Sequence, residues 1–404
     1  MENVADVKVS PVADANTQLE TGTGDWQRSH TVNIHHPPFN VSIVRKIIRK
    51  TFFRLRCSII AATFIQQDAE TRGGVVMCVV VIGLGSMGRR RIRLMQMMAN
   101  APEILGVNRS PERRAAVEKE LGIRTFATLE EAVSAARPQA AFLCTAPAGH
   151  GPVVMECIKF GLDVFMEINL IGDWYKVAAA NAKEKGVKLF ISSTPVYRRE
   201  TQYIADAVHG SGPVNYIYHC GQYLPDWHPW EDYRGFFASK KETNGCREIL
   251  CVELPWIEKA FGKIKSVEVM SGRLTSLDID FPDHYMISVT HEGGCKGFYC
   301  QDIIARKGLR RLEVFSEKLH LFWEGTPDSL SSYNIGTKTL ESVRLYDDVV
   351  QDGRYNANII ENAYFDEISA FFDYVEKGIL PPYTFEEDAH TLAVVDEIEG
   401  VKRS

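Results

Sequence analysis

The chain of 404 residues carries 46 basic and 52 acidic side chains, a formal net charge of −6 and 45% hydrophobic residues. This is the composition of a globular protein long enough for two domains, without the basic excess that nucleic-acid binding favours. No apolar stretch approaches the ~20 residues that cross a bilayer, and the nine cysteines form no C-x-x-C pair. We therefore expect a cytoplasmic protein with reduced thiols, no bound metal, no nucleic-acid partner and no stable membrane span.

The first 76 residues differ from the remainder. The stretch up to about Asn40 is polar and aperiodic, and six basic residues with no acid lie between Arg45 and Arg56. We interpret residues 1–76 as a poorly ordered or non-native extension. An amphipathic membrane-surface helix and a targeting arm remain alternatives. Met77 directly precedes the first apolar run, where a compact domain would begin.

A glycine loop follows that apolar run. Residues 79–82 predict a strand, residues 88–98 predict a helix, and the turn between them reads G-x-G-x-x-G. In such loops the first glycine permits the turn, the second admits a pyrophosphate and the third allows helix–strand packing. The helix N-terminus then favours phosphate. We expect the loop to bind a dinucleotide through Gly83, Gly85, Ser86, Met87 and Gly88.

The end of the second predicted strand bears on the choice of cofactor. The residues there are Asn108, Arg109 and Ser110, and no acid appears before Glu112. An acid at this position would bind the ribose 2′-hydroxyl, whereas arginine and serine suit a 2′-phosphate. We predict NADP as the cofactor, with NAD as the alternative and with solvated arginines as the purely structural explanation.

Strands continue to alternate with helices up to about residue 195, which predicts a doubly wound parallel sheet. The segments VIGLGSMG, FLCTAPAGHGPVVMECIKFGLDVFMEIN and AYFDEISAFFDYVEKGILPPYTFEEDAHTLAVVDEIE occur in order. In these segments the chain from residue 77 onward resembles the Gfo/Idh/MocA oxidoreductases, which are named for glucose–fructose oxidoreductase and inositol dehydrogenase. The resemblance covers about four fifths of the chain.

This resemblance implies an α/β protein in two parts. A Rossmann domain with a doubly wound parallel sheet would occupy residues 77–195. An α/β domain for substrate binding and oligomerisation, with an open, mainly antiparallel sheet, would occupy residues 196–404. Its strands are expected near 214–222, 263–274, 284–291, 296–304 and 310–323. Helices near 358–377 and 386–399 would return to the Rossmann half, and the open sheet implies a homo-oligomer.

The family also implies an activity, namely NAD(P)-dependent oxidation or reduction of a sugar or nucleotide-sugar hydroxyl or carbonyl in carbohydrate metabolism. By resemblance, the nicotinamide side of the cofactor pocket would be formed by Thr145, Ala146, Pro147, His150, Glu167 and Asn169. His150 is equally able to cap the helix that follows it.

Two family motifs are altered. Family members usually carry Glu-Lys-Pro after the fifth strand, whereas this chain has Glu167-Ile168-Asn169. A second motif usually supplies a histidine and an aspartate, and the matching positions here are Val252 and Pro255. Since hydride transfer at a carbinol carbon needs a proton donor or acceptor, the alternative is a catalytically silent relative that binds NAD(P) and a sugar as a sensor or assembly partner.

Residues 221–237 offer replacement groups. The segment reads GQYLPDWHPWEDYRGFF, which combines aromatic rings suited to sugar faces with carboxylate and arginine partners for hydroxyls. We predict His228 as the catalytic base, followed by Tyr233 and by Glu253 further along the chain. The predicted substrate-binding residues are Trp227, Trp230, Asp232 and Arg234. A structural loop with solvated charges is the alternative interpretation.

Overall fold

The computed structural model describes residues 77–353 and 358–401, so the extension expected at residues 1–76 lies outside the described residues. Fourteen strands lie in the described chain: β1 (Cys78–Ile82), β2 (Glu103–Val107), β3 (Arg124–Phe126), β4 (Ala140–Leu143), β5 (Asp163–Met166), β6 (Leu189–Ile191), β7 (Asn215–Gly221), β8 (Ile264–Gly272), β9 (His284–His291), β10 (Lys296–Asp302), β11 (Leu309–Phe315), β12 (His320–Trp323), β13 (Ser331–Asn334) and β14 (Thr339–Ser342).

Nine α-helices lie in the same described ranges: α1 (Ser86–Gln96), α2 (Pro111–Leu121), α3 (Leu129–Ala136), α4 (His150–Lys159), α5 (Tyr175–Lys185), α6 (Arg199–Ser211), α7 (Gly245–Phe261), α8 (Glu361–Lys377) and α9 (Phe385–Glu399). None of them has both the length and the apolar character needed to span a bilayer. The first helix, α1, begins and ends about two residues earlier than the range 88–98 predicted from the sequence.

The first sheet is parallel throughout and has the order β3-β2-β1-β4-β5-β6. All five residues of β1 and all four of β4 are buried, as expected of strands covered by helices on both faces. This order confirms the predicted doubly wound Rossmann sheet. The order reverses between β1 and β4, so the crevice for a ligand lies at the carboxyl ends of these two strands.

The second sheet has eight strands in the order β14-β13-β12-β11-β7-β10-β9-β8. Only β7 and β10 pair in parallel, and the other neighbours are antiparallel, which confirms the predicted mainly antiparallel sheet. The strand expected at 310–323 is two strands. They are separated by a turn in which the Ser316 N–H donates to the Leu319 carbonyl.

One face of this second sheet is covered by α7. Trp256 on that helix packs edge-on against Tyr218 and Trp323, with ring centroids 5.3 Å and 6.1 Å apart. Residues on the opposite face alternate with these buried ones and stay accessible, including Ile217, Phe298 and Met270. The alternation of buried and exposed residues is what a sheet covered on one side requires.

The two final helices contact different elements. The Phe371 ring of α8 packs against Phe142 and Phe165, so this helix closes the core of the parallel sheet. α9 begins with a capping box in which Thr384 and Glu387 bond reciprocally. Further along α9, Asp396 accepts a 2.7 Å hydrogen bond from the Arg247 guanidinium of α7. The C-terminal segment thereby joins both sheets.

Candidate active site

A cavity of about 1650 Å³ opens at the carboxyl ends of β1 and β4 and extends to α7 and the second sheet. Small-molecule sites usually occupy about 300–1,000 Å³, so this volume accommodates a dinucleotide together with a substrate. Its walls come from the glycine loop, from the ends of β2, β4, β5 and β6, from the loop after β7, and from α7.

The glycine loop has the geometry that phosphate binding needs. Gly83 adopts a φ of +97°, and a Cβ there would lie 2.5 Å from the Cys144 carbonyl oxygen. A Cβ on Gly88 would lie 2.0 Å from the Gly83 carbonyl oxygen, so α1 packs tightly on the loop. A Cβ on Gly85 would meet nothing within 4 Å. The loop is thus closed where it packs and open where a pyrophosphate would approach the N-terminus of α1.

The end of β2 forms one extremity of the cavity. Asn108, Arg109, Ser110 and Arg113 line it, and the two arginine side chains are exposed. The Ser110 hydroxyl donates to Glu112 at 2.7 Å and also accepts from the Arg113 N–H, so it caps α2. The Ser110 hydroxyl is therefore already bonded, whereas the guanidinium groups of Arg109 and Arg113 are exposed donors at this end.

The predicted nicotinamide side divides into two groups. Thr145, Ala146, Pro147 and Glu167 line the cavity, and the Thr145 Oγ1 atom is shielded from solvent without a hydrogen-bond partner. That orphaned hydroxyl, together with the open space at the glycine loop, fits a dinucleotide lying along the strand ends.

His150 and Asn169 are buried behind this wall. The His150 Nε2 atom lies 2.9 Å from the Thr145 carbonyl oxygen at the start of α4, and burial lowers the pKa of its imidazole. The Asn169 amide donates to the Ile171 carbonyl and to the Tyr175 hydroxyl. Both residues support the wall, and neither is among the side chains that line the cavity.

Glu167 is paired with the guanidinium group of Arg91. The Arg91 Nε atom lies 2.6 Å from one carboxylate oxygen of Glu167, and its Nη2 atom lies 2.7 Å from Glu367 of α8. Arg91 is fully buried between these two acids. A buried guanidinium of this kind is stabilised only while its carboxylate partners remain. Glu167 therefore lines the cavity with its carboxyl group already engaged by Arg91.

The altered family motifs also face the cavity. Ile168 and Val252 line it, so the positions expected to carry a lysine and a histidine do reach the substrate side. Pro255 lies inside α7, is buried and does not line the cavity. Two positions that would exchange protons in the family pattern are therefore apolar surface here.

Glu248 is an ionisable side chain near the position of the missing histidine. It lies on α7 one turn before Val252, and it lines the cavity together with Ile249 and Val252. The side chain is half-buried, while its Oε2 atom is shielded from solvent and has no hydrogen-bond partner. Burial raises the pKa of Glu248 to about 8. This carboxyl is thus a proton carrier poised near neutral pH.

Glu253, predicted as a third candidate base, has a different environment. It accepts hydrogen bonds from the Tyr218 hydroxyl, the Trp256 indole and Arg310, at 2.7, 2.7 and 2.8 Å. Burial acts to raise the pKa of Glu253, but the charge of Arg310 and these three bonds outweigh burial and lower it. The side chain is an anchored carboxylate at the base of the substrate end.

Only part of the aromatic segment at 221–237 lines the cavity. Trp227, His228 and Trp230 line the cavity, and the His228 ring stacks on Trp230 with centroids 5.1 Å apart. The His228 Nδ1 atom bonds to Glu231. Tyr233, Asp232 and Arg234 are outside the lining: the Tyr233 hydroxyl accepts from the Asp278 N–H, and Asp232 pairs with Arg234 at the surface.

The sheet order, the glycine loop and the position of the cavity define a dinucleotide-binding protein of the Rossmann class. Residues 77–192 match the Gfo/Idh/MocA oxidoreductase family, whose model describes an NAD-binding Rossmann fold. Over this domain, the match confirms the family that the sequence motifs predicted. No curated protein matches the chain significantly in sequence.

Solved structures share the fold over both domains. The UDP-N-acetylglucosamine 3-dehydrogenase GnnA from Acidithiobacillus ferrooxidans is 16% identical with a TM-score of 0.65, and the match covers 80% of this chain and 97% of that one. An oxidoreductase from Agrobacterium radiobacter, in complex with NAD+, L-tartaric acid and magnesium, is 11% identical with a TM-score of 0.70, covering 81% and 98%. GenD2 from gentamicin A biosynthesis, in complex with NAD, is 18% identical with a TM-score of 0.63, covering 81% and 95%.

Proposed function

We propose that the protein is an NAD(P)-dependent oxidoreductase that acts on a hydroxyl or carbonyl group of a sugar or nucleotide-sugar, with Glu248 as the acid–base group. The observation that carries this proposal is a cavity-lining carboxyl with a shielded, unpartnered oxygen and a pKa raised to about 8. Such a group is mostly protonated at neutral pH and changes state within the working range of most enzymes.

The nicotinamide, when bound, supplies or accepts the hydride at the substrate carbon. In the reductive direction, the Glu248 carboxyl gives its proton to the carbonyl oxygen, and the resulting carboxylate takes a proton from solvent. In the oxidative direction, the carboxylate removes the hydroxyl proton. Glu248 thus does the work assigned in the family to residues replaced here by Ile168 and Val252, and His228 is the alternative base.

The substrate end of the cavity suits a polyhydroxylated ligand. Its aromatic wall includes Trp227, Trp230 and Phe236, whose faces can pack on sugar rings. The two arginines of this region are already neutralised, because Arg310 pairs with Glu253 and Arg198 pairs with Glu200 at 2.5 Å. Hydroxyl groups, rather than a phosphate at the reacting centre, therefore match this part of the cavity.

NADP is the cofactor that we propose, with NAD as the alternative. Arg109 and Arg113 project exposed guanidinium groups at the cavity end formed by β2, where the ribose 2′-position would lie. Glu112 is nearby but is bonded to the Ser110 hydroxyl and has a lowered pKa because of that bond. Two cations then face one acid, which favours a 2′-phosphate.

A cytoplasmic homo-oligomer remains part of the proposal by family resemblance. The uncovered face of the second sheet supports it, because Ile217, Phe298 and Met270 form an accessible apolar surface there. Light scattering on the full chain tests the oligomer, and a mass equal to a single chain contradicts it.

The second candidate function is a catalytically silent relative that binds the cofactor and a sugar. The specific observation in its favour is that Ile168 and Val252 both face the cavity without an ionisable group. The two candidates differ in a direct way, since only the enzyme produces a change in nicotinamide absorbance with a substrate.

The deciding experiment screens the full chain with NADP and NAD against a panel of sugars and nucleotide-sugars. For an active pair, Glu248→Gln is expected to lower turnover about 10²–10⁴-fold while cofactor affinity is retained. Glu242→Gln, an exposed glutamate just before α7, is the matched control and should be unaffected.

Three results would contradict these assignments. Full turnover in Glu248→Gln together with loss in His228→Ala would move the base to His228. Cofactor binding without turnover on any substrate would favour the silent relative. Binding of neither dinucleotide would remove the cofactor site itself.

A further inference from the structure

A second cluster of reactive side chains lies on the face of the open sheet that α7 does not cover. His219 is on β7 and Cys300 is its register partner on β10, so both side chains project from the same face. Asp302 is two residues beyond Cys300 and therefore shares that face. Donor atoms of the three residues lie within 4.8 Å of one another.

The position of Asp302 is fixed by its surroundings. Its partner across the strands is Gly221, and a Cβ there would lie 2.5 Å from the Asp302 Oδ2 atom. The missing side chain lets the carboxylate lean over β7 until Oδ2 is 2.6 Å from the His219 Nε2 atom. The glycine thus makes room for the approach of the carboxylate to the imidazole.

The second oxygen of Asp302 is tied to the backbone. Oδ1 accepts the N–H groups of Ile304 and Ala305 at 2.8 and 2.7 Å. Outer hydrogen bonds of this kind orient a carboxylate and hold its other oxygen available for a metal. Oδ2 is therefore the Asp302 oxygen that faces His219.

The donor set has a chemical preference. Imidazole nitrogen, thiolate sulfur and carboxylate oxygen are the three ligand types of protein zinc sites, with bonds of about 2.0–2.3 Å. Ligand atoms on one tetrahedral ion lie about 3.3–3.7 Å apart at those lengths. Zinc binding would therefore lengthen the 2.6 Å contact between His219 and Asp302 and bring Cys300 closer, since the donor atoms now lie within 4.8 Å of one another. The thiol and imidazole disfavour magnesium and calcium, which prefer oxygen ligands.

We propose that His219, Cys300 and Asp302 form a zinc site with an open fourth position on the uncovered face of the second sheet. On binding, the Cys300 thiol releases its proton to solvent, and the His219 Nε2 atom gives up the hydrogen that it donates to Asp302. The thiolate and carboxylate charges then balance the divalent ion. The site is formed within each chain, so a second copy packed on this face would meet the open position. The cysteine spacings in the sequence predicted no metal because these ligands come from two strands.

The test uses the full chain, reduced and stripped of metal, with zinc titrated against a chromogenic chelator. Wild type is expected to bind one equivalent more than Cys300→Ser, and His219→Gln should show the same deficit. Cobalt in place of zinc should give thiolate-to-metal charge-transfer absorption in wild type and not in Cys300→Ser. Residues His30, His35 and His36 lie outside the described structure, and any binding by them is common to all variants.

His320→Gln is the matched control. His320 lies on the same sheet, pairs with Glu313 at 2.9 Å, and its side chain has nearly the same exposure as His219, 35% against 36%. It lacks a thiol in its cluster, so its loss should leave the extra equivalent intact. Unchanged stoichiometry and cobalt absorption in Cys300→Ser, or an equal deficit in His320→Gln, overturn the site. Cys300→Ser decides alone if His219→Gln fails to fold, since a serine replaces a half-exposed thiol at almost the same size.

Discussion

The two ends of the cavity are built on different principles. At the cofactor end, Gly85 leaves open space and Arg109 and Arg113 extend into solvent, so the protein presents unused donors. At the substrate end, Glu253 pairs with Arg310 and accepts hydrogen bonds from Tyr218 and Trp256, so this network is already complete. The open space and the exposed guanidinium groups at the cofactor end suit an anionic ligand. The substrate end offers shape, apolar surface and one proton at Glu248.

This difference separates stability from binding. A substitution at the closed end breaks interactions that the folded chain already makes, so its main effect falls on the free energy of unfolding. A substitution at the open end removes contacts that form only with a ligand, so its main effect falls on cofactor affinity. Four experiments test this separation, in order of decreasing expected effect.

Glu253→Ala should have the largest effect. It leaves the Arg310 guanidinium without its carboxylate and removes the acceptor of the Tyr218 and Trp256 donors. Breaking a buried ion pair costs about 3–5 kcal/mol, and the partial exposure of Arg310 favours the lower figure. Chemical denaturation measures the loss. Glu268→Ala, on exposed β8 surface, should change stability by less than about 0.5 kcal/mol.

Two glycine substitutions compare packing and binding within the cofactor end. Gly88→Ala places a methyl group against the Gly83 carbonyl and should cost about 1–3 kcal/mol of stability. Gly85→Ala meets no protein atom and should leave the melting temperature nearly unchanged while weakening dinucleotide binding. A large loss of stability in Gly85→Ala would show that the loop is not open there.

The third experiment follows stability with pH. Burial raises the pKa of Glu248 to about 8, whereas its ordinary value is 4.5, so the folded chain retains a proton that the unfolded chain has lost. The contribution of Glu248 to the free energy of unfolding is therefore fully present below about pH 4.5, and it is lost as pH rises towards 8. Because glutamine does not ionise, Glu248→Gln should abolish this pH-dependent loss of stability.

The measurement is the difference in unfolding free energy between Glu248→Gln and the parent chain without cofactor. We expect the variant to gain about 1–2 kcal/mol relative to the parent between pH 5 and 8, since the half-buried side chain shares part of its charge with solvent. A flat difference across this range would mean that Glu248 is ionised in the folded protein.

Arg109→Ala should have the smallest effect. Loss of one solvent-exposed charged contact is expected to weaken NADP binding about fivefold, or ~1 kcal/mol, and to leave NAD binding unchanged. Calorimetric titration with both dinucleotides gives the ratio. Arg124→Ala, whose side chain pairs with Glu103 away from the cavity, is the matched control. Tighter binding of NAD than NADP by the parent chain would contradict the proposed cofactor.

The sequence predicted the Rossmann half well because its signals are local. The glycine spacing and the apolar runs of β1 and β4 define a sheet whose strands are buried on both faces. The second domain was harder. The polar turn after Ser316 divides an expected strand into β11 and β12, and exposed β14 has no apolar pattern to reveal it.

Side-chain direction in irregular segments was beyond the sequence. His228 and Trp230 face the cavity, whereas Tyr233 bonds to the backbone of Asp278. Nothing in their spacing distinguishes these outcomes, because a loop has no fixed period. Glu248 did have a signal, since it precedes Val252 by one helical turn and so lies on the same face of α7. The sequence alone does not show that the Glu248 Oε2 atom is buried without a hydrogen-bond partner, which is the feature that makes this residue a candidate acid–base group.

The buried Arg91 has a consequence for how the chain is made. One of its two carboxylate partners, Glu367, belongs to α8 and is synthesised almost 280 residues after Arg91 itself. Until that helix has left the ribosome, the nascent Rossmann half contains a guanidinium with only part of its counter-charge and an uncovered Phe142–Phe165 surface. The Rossmann half therefore reaches its final packing only after α8 has been synthesised.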